Sequence, residues 1–494
     1  MGDLWKGMQN ITNLTTTENG AAAYSSTLNA CLDAFGRLGA MQDSSEDAIL
    51  SVFWDAFNED PYIAMHILFY MRDIRGGQGI RRPFRIILTS LAEKKPNYVI
   101  RNFDLIAEFG RYDDYLCLLD TQLGEMVAKY LHTRFCSDLS HYILGQDDQI
   151  SLLAKWLPSI NTSSAQTRRY ARMLCKYWNI SIPQYRRDLS KLRTILDVVE
   201  KKMSDKQWDK IKYDNVPSIA SLKYAHAFYR HDKDRYKSFL EKDAAINANA
   251  IYPKDIVKKA QSDELNAAVA DIMWKNLPNY FGDTEDTAIC MVDTSASMWG
   301  TPYDVALSLG LYCADKCHGP YYGKFITFAS TPQLKSFGEG TLAQKIKRIH
   351  CINAGSTNIE AAFDLILNAA LNENLDPKDM PSKLYIISDM QFNRATGSHS
   401  GSLMQGIKEK FEANGYKMPT IVYWNVSGRY SDGIFQATYG DIDCIICSGY
   451  SPSLFKSICD STFTINSKEE KPTIDPLTVM YNTVCAERYT VIWA

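Results

Sequence analysis

The stretch Thr287–Trp299, TAICMVDTSASMW, decides the reading of this chain. Its first half is apolar and β-favouring, suited to a strand buried on both faces. It stops on Asp293, and small hydroxylated residues follow: Thr294, Ser295 and Ser297. A carboxylate at the end of a buried strand with alcohols in the next turn admits three readings. Asp and Ser can cap a helix N-terminus. They can hold a hard cation, or they can serve a phosphate-handling nucleophile.

Around this stretch, apolar β-favouring runs alternate with amphipathic helical ones. TAICMVD, GKFITFA, KLYIISD, PTIVYWNV and DIDCIICS read as strands. PYDVALSLGLYCADK, NIEAAFDLILNAAL and GSLMQGIKEKFEANG read as the helices between them. That alternation predicts a doubly wound, mostly parallel sheet covered on both faces. In such sheets ligands bind beyond the carboxyl ends of the strands. Asp389 closes KLYIISD, and Thr357 in NAGSTNIEAAF opens a helix. Asp293, Ser295, Ser297, Thr357 and Asp389 are therefore the candidate metal ligands. Carboxylates, hydroxyls and water suit Mg²⁺ or another hard divalent cation. The nucleophile reading is weaker. A dehalogenase-like phosphatase needs a second Asp where Ser295 stands, and no His lies in these loops. The expectation is a binding protein and not an enzyme.

Upstream, the rhythm is helical from about residue 24 to 270. DAILSVFWDAFNED, PYIAMHILFYMRDI, RRPFRIILTSLAEK and YVIRNFDLIAEFG each carry apolar residues at three- and four-residue intervals. Short loops separate them, as in a HEAT-like solenoid of stacked helix pairs. The expected organisation is a flexible N-terminus over 1–20, a helical domain over 21–280 and an α/β domain over 281–494.

Charge is unevenly spread. The 494 residues carry a net −3, which excludes a wholly basic nucleic-acid binder. Residues 151–242 nevertheless hold 20 Lys and Arg against 9 Asp and Glu. That surplus is the footprint of a cationic face. In QTRRYARMLCKYW, Arg168, Arg172 and Lys176 fall at i, i+4 and i+8, with Arg169 flanking. On a helix they form one stripe able to neutralise phosphates. KYAHAFYRHDKDRYK adds Lys223, His226 and Arg230 among aromatic residues that can stack single-stranded bases. In RDIRGGQGIRR, Arg75, Arg81 and Arg82 crowd a glycine-rich turn able to cradle phosphate, which makes them further candidate RNA contacts. It follows a helical pattern and lacks the Lys-Ser/Thr ending of a P-loop. A tight interhelical turn is its plain alternative, as a solvated helix face is for the stripes.

The 12 Cys are scattered, no apolar leader opens the chain, and no 18-residue apolar span occurs. These features predict free thiols, a reducing cytoplasmic setting and no membrane insertion. CIIC at 444–447 reads as a core strand. Cys313, Cys317 and His318, at helical spacing, are too few to hold zinc.

DTSAS matches the D-x-S-x-S of von Willebrand factor A domains. Thr357 in GSTN and Asp389 in IISD stand where the metal-ion-dependent adhesion site of those domains has its Thr and second Asp. That resemblance implies a cation whose shell is completed by an acidic side chain from a protein partner. A helical half joined to such a domain resembles the TROVE family, which includes the Ro autoantigen and the telomerase- and vault-associated proteins. YMRDIRGGQGIRRPF, FGRYDDYL, SLLAKWLPSI, VPSIASLKYAHAFYRHD, MVDTSASM, IVYWNV and SGYSPSLFK resemble blocks of a TROVE-related family found in plants, fungi, bacteria and large viruses. The resemblance implies a ring of HEAT-like helices closed by the A domain. It also implies binding of small noncoding or single-stranded RNA, with Lys155, Arg168, Arg169, Arg172, Lys176, Lys223, His226 and Arg230 as candidate contacts. The alternative is a metal-dependent protein-interaction scaffold that binds no RNA.

Overall fold

The apolar runs singled out above all become strands because each buries both faces. In a computed structural model, described over residues 12–242, 246–249, 251–282, 287–327, 331–350, 359–392, 403–429, 433–463 and 474–494, the mostly helical N-terminal region is followed by a six-stranded sheet. A small hairpin, β1 (Leu14–Thr16) and β2 (Ala22–Tyr24), precedes the helices. The sheet comprises β3 (Ala288–Val292), β4 (Lys324–Thr327), β5 (Leu334–Ser336), β6 (Lys383–Ser388), β7 (Thr420–Asn425) and β8 (Cys444–Ser448). Its order is β5-β4-β3-β6-β7-β8. Only the β4–β5 edge pair is antiparallel; the other pairings are parallel. β3 and β6 are buried at every position, as expected of central parallel strands, and the edge strand β8 is buried throughout as well. CIIC is thus core strand.

From β3 the chain steps to β4 on one side and then crosses to β6 on the other. The carboxyl ends of β3 and β6 therefore flank a topological switch point. The helix Thr301–Lys316 packs hard against β3, where a Cβ on Gly310 would come within 2.3 Å of Val292.

The contacts divide the chain differently from its rhythm. One compact unit comprises residues 1–71, 76–78 and 248–491; the other comprises 72–75, 79–247 and 492–494. The first helix, Ala30–Arg37, belongs with the sheet, although the rhythm groups it with the helical half. The reason is close packing on β8. A Cβ on Gly36 would meet Ile446 at 2.7 Å. Ser448 Oγ donates to Phe35 O at 2.8 Å and accepts from the Gly39 amide at 3.1 Å. Residues 14–16, expected within a flexible N-terminus, form β1, and Tyr24 of its partner strand exchanges backbone hydrogen bonds with Phe435.

In the second unit the expected helices over 82–94 and 165–177 form. YVIRNFDLIAEFG, expected as one helix, splits into Pro96–Arg101 and Leu105–Phe109. Asn102 sits at the break. Its side chain donates to Tyr98 O and Trp493 O and accepts from the Trp493 amide at 2.8 Å. A side chain that bonds the backbone of a distant segment competes with helix continuation.

Candidate functional site

Parallel pairing sets Val292 beside Ile387, so Asp293 and Ser388 leave the sheet side by side. Ser388 Oγ donates to Asp293 Oδ2 at 2.6 Å, and the Ser295 amide donates to Asp293 Oδ1 at 2.9 Å. The Ser295 and Ser297 hydroxyls lie 3.0 Å apart. On the neighbouring strand end, Asp389 Oδ1 accepts from the Gln391 amide at 3.1 Å, and the Ser297 hydroxyl supports the same carboxylate. Four of the five expected ligands thus converge. The fifth, Thr357, lies outside the described residues.

Both carboxylates are buried, Asp293 at 1% exposure and Asp389 at 3%. Burial pushes the Asp293 carboxyl up to about 6, and the charge of Asp389 adds to the shift. Asp389 is also raised, chiefly by burial. Two buried carboxylates facing each other are costly unless a cation joins them. Asp389 Oδ2 is buried with no hydrogen-bond partner among the described residues. An orphaned oxygen beside a second carboxylate and two hydroxyls is a donor set that fits a hard dication. No group of three or more His, Cys, Asp or Glu side chains is gathered for a metal among the described residues. The donors among the described residues are two carboxylates and two hydroxyls with no Cys or His, which ions preferring Cys or His match poorly.

The surroundings fix the loop. Arg429 donates to Ser297 O at 2.7 Å and to Trp299 O. Gly300, at φ +97°, turns the chain into the helix Thr301–Lys316. Trp299 is left 81% exposed at the rim. A cleft lined by Arg37, Asp389, Gln391, Asn425 and Ser427 opens beside the carboxylates. Thr17–Asn19, the turn between β1 and β2, docks on the same edge. Thr17 Oγ1 donates to Phe392 O, the Glu18 amide to Gln391 Oε1 and Asn19 Nδ2 to Gln391 O, at 2.6–2.8 Å. Sequence periodicity missed this hairpin, since three-residue strands carry no readable alternation.

The basic stripe is a helix, Ala165–Tyr177. Ala171, Leu174 and Trp178 are buried, while Arg172 and Lys176 face solvent. Arg168 instead donates to Thr162 O and Ser163 O, and Arg169 pairs with Asp120. Two of the four cations are therefore committed within the protein. Lys223, His226 and Arg230 are exposed on the helix Ser218–His231, with the Lys223 Nζ 4.8 Å from the Tyr224 ring. In the glycine-rich turn, Arg75 donates to Glu108 O and Arg81 lies 3.9 Å from Asp113, while Arg82 starts a helix. Lys155 is half-buried beside Trp156.

Residues 286–484 match a domain of unknown function, DUF7788. Residues 17–121 and 164–281 match a second, DUF2828. An uncharacterized protein of Acanthamoeba polyphaga mimivirus, L728, is 29% identical over 91% of this chain and 85% of its own length. The crystal structure of the Ro (RSR) protein of Deinococcus radiodurans covers 85% of this chain and 92% of its own, at 13% identity and a TM-score of 0.39. A score of that size does not equate the two folds.

The described cysteines are free thiols. Cys313 and Cys317 are buried and His318 is exposed, its Nε2 3.0 Å from Gly282 O. No described helix is long and apolar enough to cross a membrane.

Proposed function

We propose that this protein binds single-stranded or small noncoding RNA as a Ro-like chaperone or scaffold. In this reading the helical part is a HEAT-like ring or solenoid and the sheet is a von Willebrand factor A-type domain. One observation carries the RNA reading: Arg172 and Lys176 stand in solvent on a helix whose other face is core, in a segment with a surplus of eleven positive charges. Rigid cations displayed together release counterions from a polyphosphate. RNA recovered with the full chain should be sequenced and its binding titrated against salt. Affinity that falls steeply with salt supports the reading; affinity too weak to measure at low salt sinks it.

A second reading is favoured by the buried carboxylate pair. Asp293, Ser295, Ser297 and Asp389, with Thr357, would hold Mg²⁺ or a like cation, and the ion would offer a coordination position to an acidic side chain of a protein partner. The chain's own residues orient the site: Ser388 and the Ser295 amide fix Asp293, and Arg429 holds the serine loop. We infer binding and not catalysis, since the serine hydroxyls bond each other beside carboxylates already engaged. Partner capture that persists undiminished in a chelator would count against the adhesion role.

A further inference from the structure

Two cations meet on one indole in the helical unit. The Arg111 guanidinium carbon lies 4.4 Å from the centroid of Trp156, and the Lys155 Nζ lies 5.7 Å from the same ring. All three side chains are half-buried. The turn that carries them is clamped from below. Arg193 donates to Ala154 O, Leu157 O and Ser159 Oγ at 2.8–2.9 Å, which fixes Lys155 and Trp156 in place.

The two acids near Arg111 are shared with other arginines. Asp114 is held by Arg72 and Arg85, each at 2.7 Å, and Asp113 by Arg85 at 2.8 Å. Arg111 Nε is buried and has no hydrogen-bond partner among the described residues. Burial disfavours the charge on Arg111, and Arg72 and Arg81 add to that effect while Asp113 and Asp114 oppose it. Burial likewise disfavours the charge on Lys155; Glu200 opposes the effect and Arg111 reinforces it. Glu200 is exposed and accepts from the Tyr224 hydroxyl at 3.2 Å. Positive charge is therefore concentrated and half-buried at one preorganised spot.

We propose that Arg111, Lys155 and Trp156 form a binding site for a backbone phosphate of single-stranded RNA. A guanidinium fork and an ammonium supply the donors that a phosphate accepts, and the indole face pins the guanidinium before the ligand arrives. A polyphosphate is favoured over an acidic peptide because Lys155 and Trp156 open the segment 151–242, whose surplus of cations includes exposed Arg172, Lys176 and Lys223. This inference rests on the RNA reading above and adds to it a specific anchor.

The test uses the full chain and a 12-nucleotide oligouridylate. Amine acylation at each lysine is mapped by mass spectrometry with and without the oligonucleotide, with polyglutamate as the competing arm. Lys155 should be protected by oligouridylate and not by polyglutamate. Lys155→Gln should weaken binding about tenfold and reduce the salt slope by about 0.7, the share of one single-strand phosphate contact. Lys155→Arg, which keeps the charge, should restore most of both. If RNA binds while Lys155 reacts unchanged and Lys155→Gln binds normally, the anchor is overturned and the RNA reading survives. Absence of RNA binding overturns both. Equal protection by polyglutamate overturns the anchor in favour of an acidic protein ligand.

Discussion

Each compact unit buries carboxylates, and the two do so in opposite ways. In the helical unit, fully buried Asp114 is met by Arg72 and Arg85 at 2.7 Å, and Arg72 itself is 1% exposed. In the sheet unit, Asp293 and Asp389 are as deeply buried but meet hydroxyls, backbone amides and each other. The first cluster carries its counter-charge in its own sequence. The second has oriented dipoles where a cation would be needed. Burial of a charge is thus structural where the partner is built in, and points to a ligand where it is not.

Breaking the first cluster should have the largest effect. Asp114→Ala strands the buried Arg72 and is expected to cost about 3–5 kcal/mol, read by denaturant unfolding of the helical unit. A loss below about 1 kcal/mol would make that network a bystander.

The contrast sharpens when the second cluster is supplied with metal. Mg²⁺ at about a hundred times its dissociation constant should stabilise the wild-type protein by about 2.7 kcal/mol. Asp293→Asn should abolish that gain while leaving the metal-free protein no less stable, since it relieves a like-charge pair and keeps an amide oxygen for the Ser295 N–H. Identical melting with and without Mg²⁺ in the wild type would remove the metal reading.

The displayed charges of the helical unit come next. Arg172→Gln with Lys176→Gln should lower RNA affinity about tenfold at low salt and reduce the salt slope by about 1.4. Arg169→Gln should change RNA affinity least of all, because Asp120 already occupies that guanidinium. If Arg169→Gln weakens binding as much as the double substitution does, the division between committed and displayed cations fails.

The sheet was largely legible in the sequence. All five expected strands form, because unbroken apolar runs such as KLYIISD have few other uses. The convergence of Asp293, Ser295, Ser297 and Asp389 was legible too, since strand ends at a switch point meet by topology. The outward face of the 165–177 helix followed from its period. Three-dimensional competition was not legible. Arg168 and Arg169 look equivalent to Arg172 in sequence, yet the carbonyls of Thr162 and Ser163 and the carboxylate of Asp120 claim them. Arg111 is not singled out by its sequence, because its distinction is an indole 45 residues away and a buried Nε with no hydrogen-bond partner among the described residues. FGRYDDYL did hold a hint: one Arg beside two Asp that other arginines occupy. The membership of Ala30–Arg37 in the sheet unit depends on Gly36 and Gly39, whose close approach to β8 no local pattern announces.

That seating of the first helix on the last strand constrains how the protein is made. Phe35 O waits for a hydroxyl 413 residues downstream, and Asn102 for a backbone 391 residues downstream. Each unit therefore closes only once a segment distant in sequence has been made. Until β8 is made, the flank of Ala30–Arg37 that packs on it lacks its cover.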